Sequence, residues 1–372
     1  MIKREFKGNM ASWLGMGNMR LPVIEGQGGG IDRKKAQEII DFAMQNGVNY
    51  FDTAYGYHSG ESEDFLGEAL ANYPRESYFL ATKYLILMNP DYKAVFEEQL
   101  AKLRTDYIDY YLCHAVFDHT FQQYIDSGCI EFFAEQKAKG RIGHLGFSIH
   151  ASIENFQTFL NYHDWDFVLM QLNAYDWDYG LSKQMYEILG ARGIPSVAMG
   201  PVRGGRIANL SPDAEKILRA ARPDWELPEW ALRWAKNREN NRVVLSGMST
   251  LAQIQDNVRI FSDEIGLSEA EEALFHEALA IFKKDMQVPC TDCKYCTDNE
   301  NCPVSINIPR FLEVYNTFKV DGPFALRKLK EVESAGRPAD CIDCKVCTTN
   351  CPQNIEIPTI MRELAGHDNN KE

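Results

Sequence analysis

Eight of the ten cysteines in this chain stand between Cys290 and Cys351, in two groups whose spacings nearly repeat. The first reads Cys290-x2-Cys293-x2-Cys296-x5-Cys302-Pro303 and the second Cys341-x2-Cys344-x2-Cys347-x3-Cys351-Pro352. Three thiolates at two-residue intervals wrap one face of an iron–sulfur cubane, and a fourth followed by proline is typically lent to a second cluster. A pair of structural zinc sites is the alternative, because zinc held by four cysteines also uses C-x2-C pairs. A third cysteine two residues on and a Cys-Pro step are unusual for zinc. Cys113 and Cys129, the two thiols outside these groups, read as buried or partly buried free cysteines.

Residues 10 to 260 carry a different pattern, in which short β-branched or aromatic runs alternate with longer amphipathic segments. Eight strands are predicted, near Trp13–Gly17, Asn49–Ala54, Tyr78–Lys83, Tyr107–His114, Gly143–Ser148, Phe167–Asn173, Pro195–Met199 and Val243–Gly247. Helices are predicted over Arg33–Asn46, Ser62–Asn72, Tyr92–Arg104, Ser152–Tyr162, Trp230–Asn237 and Leu251–Ile260. Eight such units close most naturally into an α/β fold of the (β/α)8 TIM-barrel type, and a doubly wound open sheet gives the same local alternation. The G-x-G-x-x-G turn of dinucleotide-binding open sheets is missing. Gly15-Met16-Gly17 is too short and Gly28-Gly29-Gly30 lacks the spacing, so both are assigned to loops. A helix over Ser268–Lys284 then leads to the cysteine-rich end, which places a domain boundary near Met286. The barrel is expected over residues 1–285. A small helical module is expected over 286–372, with helices at Pro309–Phe318 and Pro323–Glu333 and a frayed tail at Gly366–Glu372.

A formal net charge of -14 makes the average surface repel phosphate backbones and anionic lipid, and no local basic patch offsets it. Nucleic acid and membrane surfaces are therefore excluded as expected partners. The N-terminus is charged from Lys3 with no apolar run behind it, and no uncharged apolar stretch approaches the length of a spanning helix. A soluble, cytoplasmic location is expected, where clustered cysteines bind metal and do not form disulfides.

Reduction of a carbonyl by a nicotinamide needs an acid that protonates the developing alkoxide, and a free tyrosine, with pKa about 10, is a poor donor at neutral pH. A buried ammonium beside it stabilises phenolate, and a carboxylate holds that lysine in place. Such a set is available at successive strand ends: Phe51-Asp52-Thr53-Ala54-Tyr55-Gly56-Tyr57, Ala81-Thr82-Lys83, and Asp109-Tyr110-Tyr111-Leu112-Cys113-His114. All three lie at the C-terminal rim, where barrel enzymes place their chemistry.

The segment Asn49–Leu70, with Asp52, Thr53, Ala54 and Tyr57 followed by Ser62-Glu63 and Leu66-Gly67, resembles the signature of the aldo-keto reductase family. That resemblance covers residues 10 to 260. It implies that Tyr57 is the acid, Lys83 its activator, Asp52 the partner of the lysine and His114 the group that orients the carbonyl. Tyr55, the competing tyrosine, sits at a variable position of the signature. The resemblance also implies a nicotinamide site formed by Ser148, Gln171 and Met199, with Gly17, and an adenine and ribose-phosphate site at Gly247, Met248, Gln253 and Asn257. Three departures stand out. Ile149 occupies a position where asparagine is common, Met199 stands where a tyrosine often stacks on the nicotinamide, and Gly247 and Gln253 replace the Lys and Arg that often clamp a 2′-phosphate. NADP(H) and NAD(H) both remain open as cofactor, and Arg203 and Arg206 are candidate compensating cations.

The cysteine module resembles two-cluster bacterial ferredoxins of the helical variety. On that resemblance Cys290, Cys293, Cys296 and Cys351 hold one 4Fe-4S cluster, and Cys341, Cys344, Cys347 and Cys302 the other. The five-residue spacer Thr297–Asn301, where three residues are usual, is a departure. The combined expectation is an aldo-keto-type oxidoreductase with reversible hydride transfer to a small carbonyl or from a secondary alcohol. The alternative is an iron–sulfur electron-transfer or redox-sensing protein that uses the barrel as a nucleotide-binding scaffold. Nicotinamides exchange two electrons and clusters one, and no flavin motif is present to convert between them. A flavoprotein or ferredoxin-type partner is the corresponding expectation.

Overall fold

The computed structural model describes residues 1–24, 30–285, 288–298, 301–321 and 323–368. The chain forms two compact units, Met1–Val202 with Pro228–Glu269, and Arg203–Leu227 with Ala270–Glu372. The predicted boundary at Met286, most of Gly28-Gly29-Gly30 and the end of the polar tail lie outside the described residues.

The chain begins with two short antiparallel strands, β1 (Lys3–Phe6) and β2 (Asn9–Ser12), joined through Lys7 and Gly8, both at positive φ. Eight strands follow: β3 (Leu14–Gly17), β4 (Tyr50–Asp52), β5 (Phe79–Tyr84), β6 (Ile108–Phe117), β7 (Ile142–His150), β8 (Phe167–Gln171), β9 (Ser196–Met199) and β10 (Asn241–Ser246). They close into a parallel barrel, with β10 paired to β3 through Val244–Leu14, Leu245–Gly15 and Ser246–Met16. Closure rules out the open sheet. Gly15-Met16-Gly17 therefore belongs to a strand and not a loop, because it pairs with β10, and Gly15 is a glycine there because a Cβ would lie 2.6 Å from Leu245 and 2.7 Å from Val243.

Each barrel strand is followed by a main helix, Arg33–Gln45, Glu61–Leu70, Tyr92–Lys102, Cys129–Ala138, Ile153–Tyr162, Ser182–Ala191, Leu227–Lys236 and Leu251–Ile260, and Phe121–Asp126, Ala174–Tyr179 and Pro212–Ala221 are added after β6, β8 and β9. Their starts are fixed locally, since Asp32, Asp91 and Ser152 each accept from a backbone N–H of the first turn. The hairpin β1–β2 closes the N-terminal end. Phe6 and Ala11 join Tyr50, Tyr110, Phe167, Leu169, Val197 and Val243 in one buried cluster, and Tyr110 donates to the Phe6 carbonyl at 3.0 Å. With that end sealed by side chains, chemistry is left to the opposite rim.

The second unit is helical where the cysteines are. Helices Ile308–Asp321 and Ile357–Ala365 and the 3-10 helix Pro323–Glu331 surround a core of Ile306, Phe311, Leu312, Leu329, Met361 and Leu364 that also takes in Cys290, Cys296 and Cys347. The two halves repeat in sequence and backbone: Cys302-Pro-Val-Ser-Ile-Asn-Ile-Pro309 matches Cys351-Pro-Gln-Asn-Ile-Glu-Ile-Pro358, with Ser305 and Asn354 both at positive φ.

Candidate active site and cluster cavities

The ends of β4, β5 and β6 bring the expected catalytic side chains together. Lys83 Nζ donates to Asp52 Oδ1 at 2.5 Å, to the Thr53 carbonyl at 2.6 Å and to Tyr57 Oη at 3.3 Å. Lys83 and Asp52 are buried, and the His114 ring meets the Tyr57 ring edge-on at 5.6 Å. Tyr57 reaches this position from the turn Tyr57–Gly60, in which His58, Ser59 and Gly60 all have positive φ. Tyr55 goes elsewhere. Its hydroxyl donates to Glu98 Oε2 at 3.0 Å, on the outer helix Tyr92–Lys102.

A bulge presents His114. The β6–β7 register shifts between Cys113 and Val116, and Ala115 has a φ of 52°. Ser148 Oγ accepts from the Ala115 N–H at 2.7 Å, and Tyr124 donates to the His114 carbonyl at 2.6 Å. Ser148, expected at the nicotinamide, thus also holds the backbone that carries the histidine.

Burial sets the protonation states. It pushes the Tyr57 hydroxyl well above the ordinary tyrosine value, with the Asp52 charge adding to the effect. Burial lowers Lys83 against the opposing pull of Asp52, and raises Asp52 against the opposing pull of Lys83. Burial, then the Lys83 and His150 charges, drive His114 well below its usual value, so its imidazole is neutral. The arrangement supplies a protonated hydroxyl next to a fixed cation, facing a neutral imidazole.

Sequence reasoning gave no role to Glu63, which lies behind this set. Its Oε1 accepts from Thr82 Oγ1 at 2.5 Å and from Gln99 Nε2 at 2.6 Å, and the Gln99 amide also reaches the Lys83 carbonyl at 3.1 Å. The other carboxylate oxygen, Oε2, is buried and finds no hydrogen-bond partner among the described residues. Burial raises Glu63 from 4.5 to about 7 against the hydrogen bonds from Thr82 and Gln99. A carboxyl moved that far is worth on the order of 3 kcal/mol. Because the folded value lies above the unfolded one, the protonated acid stabilises the fold below pH 4.5, and that contribution is lost as pH rises through 7. Glu63→Gln is expected to remain folded and to lose less stability than wild type between pH 5 and pH 8 in denaturant titrations. Parallel pH profiles for the two proteins would remove Glu63 as the titrating group. The signal in the sequence was an acidic residue two positions into a helix whose neighbours Phe65, Leu66 and Ala69 are all buried.

The expected cofactor residues stand at the same rim. Gln171 ends β8 and donates to Asp176, while Asn173 Nδ2 donates to Asp176 Oδ2 at 2.7 Å and to the Gly200 carbonyl at 3.0 Å. Met199 ends β9, and Gly17 ends β3, where a Cβ would come within 3.3 Å of the Ser246 carbonyl. After β10, Met248 is buried and Asn257 Nδ2 donates to Ser246 Oγ at 2.9 Å. The Gln253 side chain closes a capping box, accepting from the N–H groups of Ser249 at 2.7 Å and Thr250 at 3.2 Å. Sequence reasoning also missed Arg20, whose side-chain carbons lie 3.1–3.3 Å from where a Cβ on Gly247 would stand. Arg203 and Arg206 are engaged within the second unit, with Gln353 and the Cys290 carbonyl.

The cysteines surround two cavities. One is lined by Cys290, Cys293, Cys296 and Cys351, the other by Cys302, Cys341, Cys344 and Cys347. Asp292 and Lys294 around the first, and Asp343 and Lys345 around the second, take positive φ at matching positions, which curls each C-x2-C-x2-C segment around its cavity. Burial pushes the Cys293 thiol up to about 12 and the Cys347 thiol to about 11. These thiols stay protonated until a metal displaces the proton. A set of four sulfur donors per cavity fits a cubane.

The aldo/keto reductase family model matches residues 14–279, which spans the whole closed barrel. The chain belongs to the aldo/keto reductase family. A model of the 4Fe-4S dicluster domain matches residues 289–356 of this family member, which decides between iron–sulfur and zinc. The NADH-specific methylglyoxal reductase of Escherichia coli is 26% identical over 312 residues, covering 72% of this chain and 94% of the relative. An uncharacterized oxidoreductase of Bacillus subtilis is 27% identical over 62% of this chain and 83% of its own. Among solved structures, the holo form of an aldo-keto reductase from Bacillus halodurans aligns with a TM-score of 0.63 and 28% identity, over 75% of this chain and 96% of the other. A Klebsiella pneumoniae aldo/keto reductase in complex with NADP and acetate, 19% identical, shares the fold with a TM-score of 0.60, over 76% of this chain and 95% of its own. Among the described residues no helix is long and apolar enough to cross a membrane.

Proposed function

We propose that this family member is an NAD(P)-dependent oxidoreductase that moves hydride reversibly between a nicotinamide and a small carbonyl or secondary alcohol. The observation that carries the reading is the buried chain Asp52–Lys83–Tyr57 with its 2.5 and 3.3 Å contacts. The nicotinamide, when bound, supplies or accepts the hydride. Tyr57 gives its proton to the developing alkoxide, and Lys83 stabilises the phenolate left behind. Asp52 and the Thr53 carbonyl keep the ammonium in place. His114, neutral because it is buried, holds the carbonyl oxygen by a hydrogen bond. In the alcohol-oxidising direction the same groups act in reverse.

Ser148, Gln171 and Met199 are assigned to the nicotinamide, with Gly17 giving room at the rim. Gly247, Met248, Gln253 and Asn257 are assigned to the adenosine end. Neither Gly247 nor Gln253 brings a charge to a 2′-phosphate, and the cation placed beside this segment is Arg20. Weak discrimination between NADP and NAD is expected, since one missing charge-assisted contact removes on the order of 1.5–3 kcal/mol. Dissociation constants from fluorescence titration that differ by more than about a thousandfold, roughly 4 kcal/mol, would contradict the assignment.

In the second unit, Cys290, Cys293, Cys296 and Cys351 are assigned to one 4Fe-4S cluster, and Cys302, Cys341, Cys344 and Cys347 to another. The two cavity linings support that grouping. A second reading, electron transfer through the clusters, is favoured by one observation: Cys344 is exposed and Ile342 beside it is 62% exposed, as an electron port requires. A flavoprotein or ferredoxin-type carrier would be the partner there. The test of the hydride-transfer reading is anaerobic purification followed by a carbonyl and alcohol panel with both cofactors, read at the nicotinamide absorbance band. Cofactor binding without turnover on any member of a broad panel would move the electron-transfer reading to the front.

A further inference from the structure

The cluster unit draws on a segment far from its cysteines in sequence. Arg203–Ala208 forms a tight turn in which Arg203, Gly204 and Gly205 have φ values of 50°, 66° and 90°. Two guanidinium groups from this turn converge on the lining of one cavity. Arg206 Nε donates to the Cys290 carbonyl at 3.2 Å, and Arg203, 1% exposed, donates through Nη2 to Gln353 Oε1 at 2.8 Å. Cys290 and Gln353 both line the cavity that Cys293, Cys296 and Cys351 complete.

The internal repeat makes this asymmetry meaningful. It gives each cavity one lysine at the same motif position, Lys294 in one and Lys345 in the other. Beside the second cavity Arg362 is exposed and its charge is offset by Asp343 at 3.2 Å, whereas the two arginines at the first reach a carbonyl and a side-chain amide oxygen. Exposure differs at two of the matched positions, Cys290 being buried and Cys293 half-buried where Cys341 is half-buried and Cys344 exposed, while Cys296 and Cys347 are both buried. The charge of a cysteine-ligated cubane becomes more negative by one on reduction, so its potential responds to nearby charge, hydrogen bonds and solvent. A fixed cation favours the reduced form and raises the potential. Burial alone would lower it, because the more highly charged form suffers more from desolvation. The arginines oppose the effect of burial.

We propose that Arg206, supported by Arg203, sets the reduction potential of the cluster held by Cys290, Cys293, Cys296 and Cys351 and makes it the more easily reduced of the two. The proposal rests on the two-cluster reading above. The step is the addition of one electron to an oxidised cubane, with no proton and no bond made or broken. Both arginines are positioning residues, acting on the cluster through charge and through the backbone and side chain they hold.

The test is a dithionite titration with redox mediators on anaerobically purified full-length protein, followed by electron paramagnetic resonance and visible absorbance. Wild type, Arg206→Gln, Arg206→Lys and Arg203→Gln are compared after iron analysis. Wild type is expected to show two one-electron midpoints. In Arg206→Gln the higher midpoint falls, so that at fixed poise the reduced-to-oxidised ratio of that cluster drops about tenfold, which is 59 mV for one electron. The lower midpoint stays in place. Arg206→Lys retains most of the wild-type value, and Arg203→Gln lowers the same midpoint by a smaller factor. A full iron complement with both midpoints unmoved in Arg206→Gln overturns the proposal, as does an equal fall of both. If Arg206→Gln loses iron, Arg203→Gln decides, and an unmoved higher midpoint there overturns it. Wild type lacking iron for two clusters would defeat the two-cluster reading itself, a different result from full iron with unshifted potentials.

Discussion

Tyr57→Phe is expected to lower turnover by ~10²–10⁴ while leaving nicotinamide affinity nearly unchanged, since that is the usual loss when a positioned proton donor is removed. The substitution deletes one oxygen from a ring packed edge-on against His114 and leaves Lys83 bonded to Asp52 and the Thr53 carbonyl. The fold should hold, because the Lys83 ammonium keeps two of its three contacts. Tyr55→Phe is the control. It removes a hydrogen bond to Glu98 on the outer helix and should change turnover little. Steady-state rates on one substrate, with cofactor dissociation constants for both variants, check the pair. A crippled Tyr55→Phe beside an active Tyr57→Phe would reverse the assignment.

Loss of the clusters should unfold the second unit and spare hydride transfer. The core of that unit is built around thiols, with Cys290, Cys296 and Cys347 among its buried residues. With three of its buried positions taken by cluster ligands, this core holds the fold weakly without its metal. Wild type should contain about eight irons, four per cluster. Cys344→Ala is the cleanest probe, since an exposed side chain leaves no cavity behind when shortened. Iron should fall, and limited proteolysis should cut first within residues 203–227 and 270–372, the two segments of that unit. Turnover with the nicotinamide should persist, because the barrel has its own core and its own catalytic groups. Zero turnover in a Cys344→Ala protein that still binds nicotinamide would mean that electrons must pass through the clusters.

The eight barrel strands were legible because most of their residues are apolar and buried, and short runs such as Phe167–Gln171 stand out between polar helices. The β1–β2 hairpin was not. Its strands are four residues long and one reads Lys-Arg-Glu-Phe, so only Phe6 carries a burial signal. The helices Phe121–Asp126, Cys129–Ala138, Ala174–Tyr179, Ser182–Ala191 and Pro212–Ala221 were not among those predicted, and Phe121–Asp126 and Ala174–Tyr179, six residues each, are shorter than the window over which a helical period can be read. At the rim, the signature spacing pointed to Tyr57, but the partner that draws Tyr55 away, Glu98, lies 43 residues off. The same limit hid the attachment of Arg203 and Arg206, whose partners are 150 and 84 residues away. Chemistry written into one strand end is readable locally. Contacts between distant segments are set by the closed fold.

Each cysteine-lined cavity takes three thiols from one motif and its fourth from the other, Cys351 for the first and Cys302 for the second. A chain built this way has little use for a half-loaded state. Filling one cavity fixes a Cys-Pro turn that belongs to the neighbouring motif, and so lowers the entropy that the second filling must overcome. During maturation with limiting iron, native mass spectrometry should find empty and fully loaded chains with few between them, as a delivery system that hands over both clusters in succession would produce.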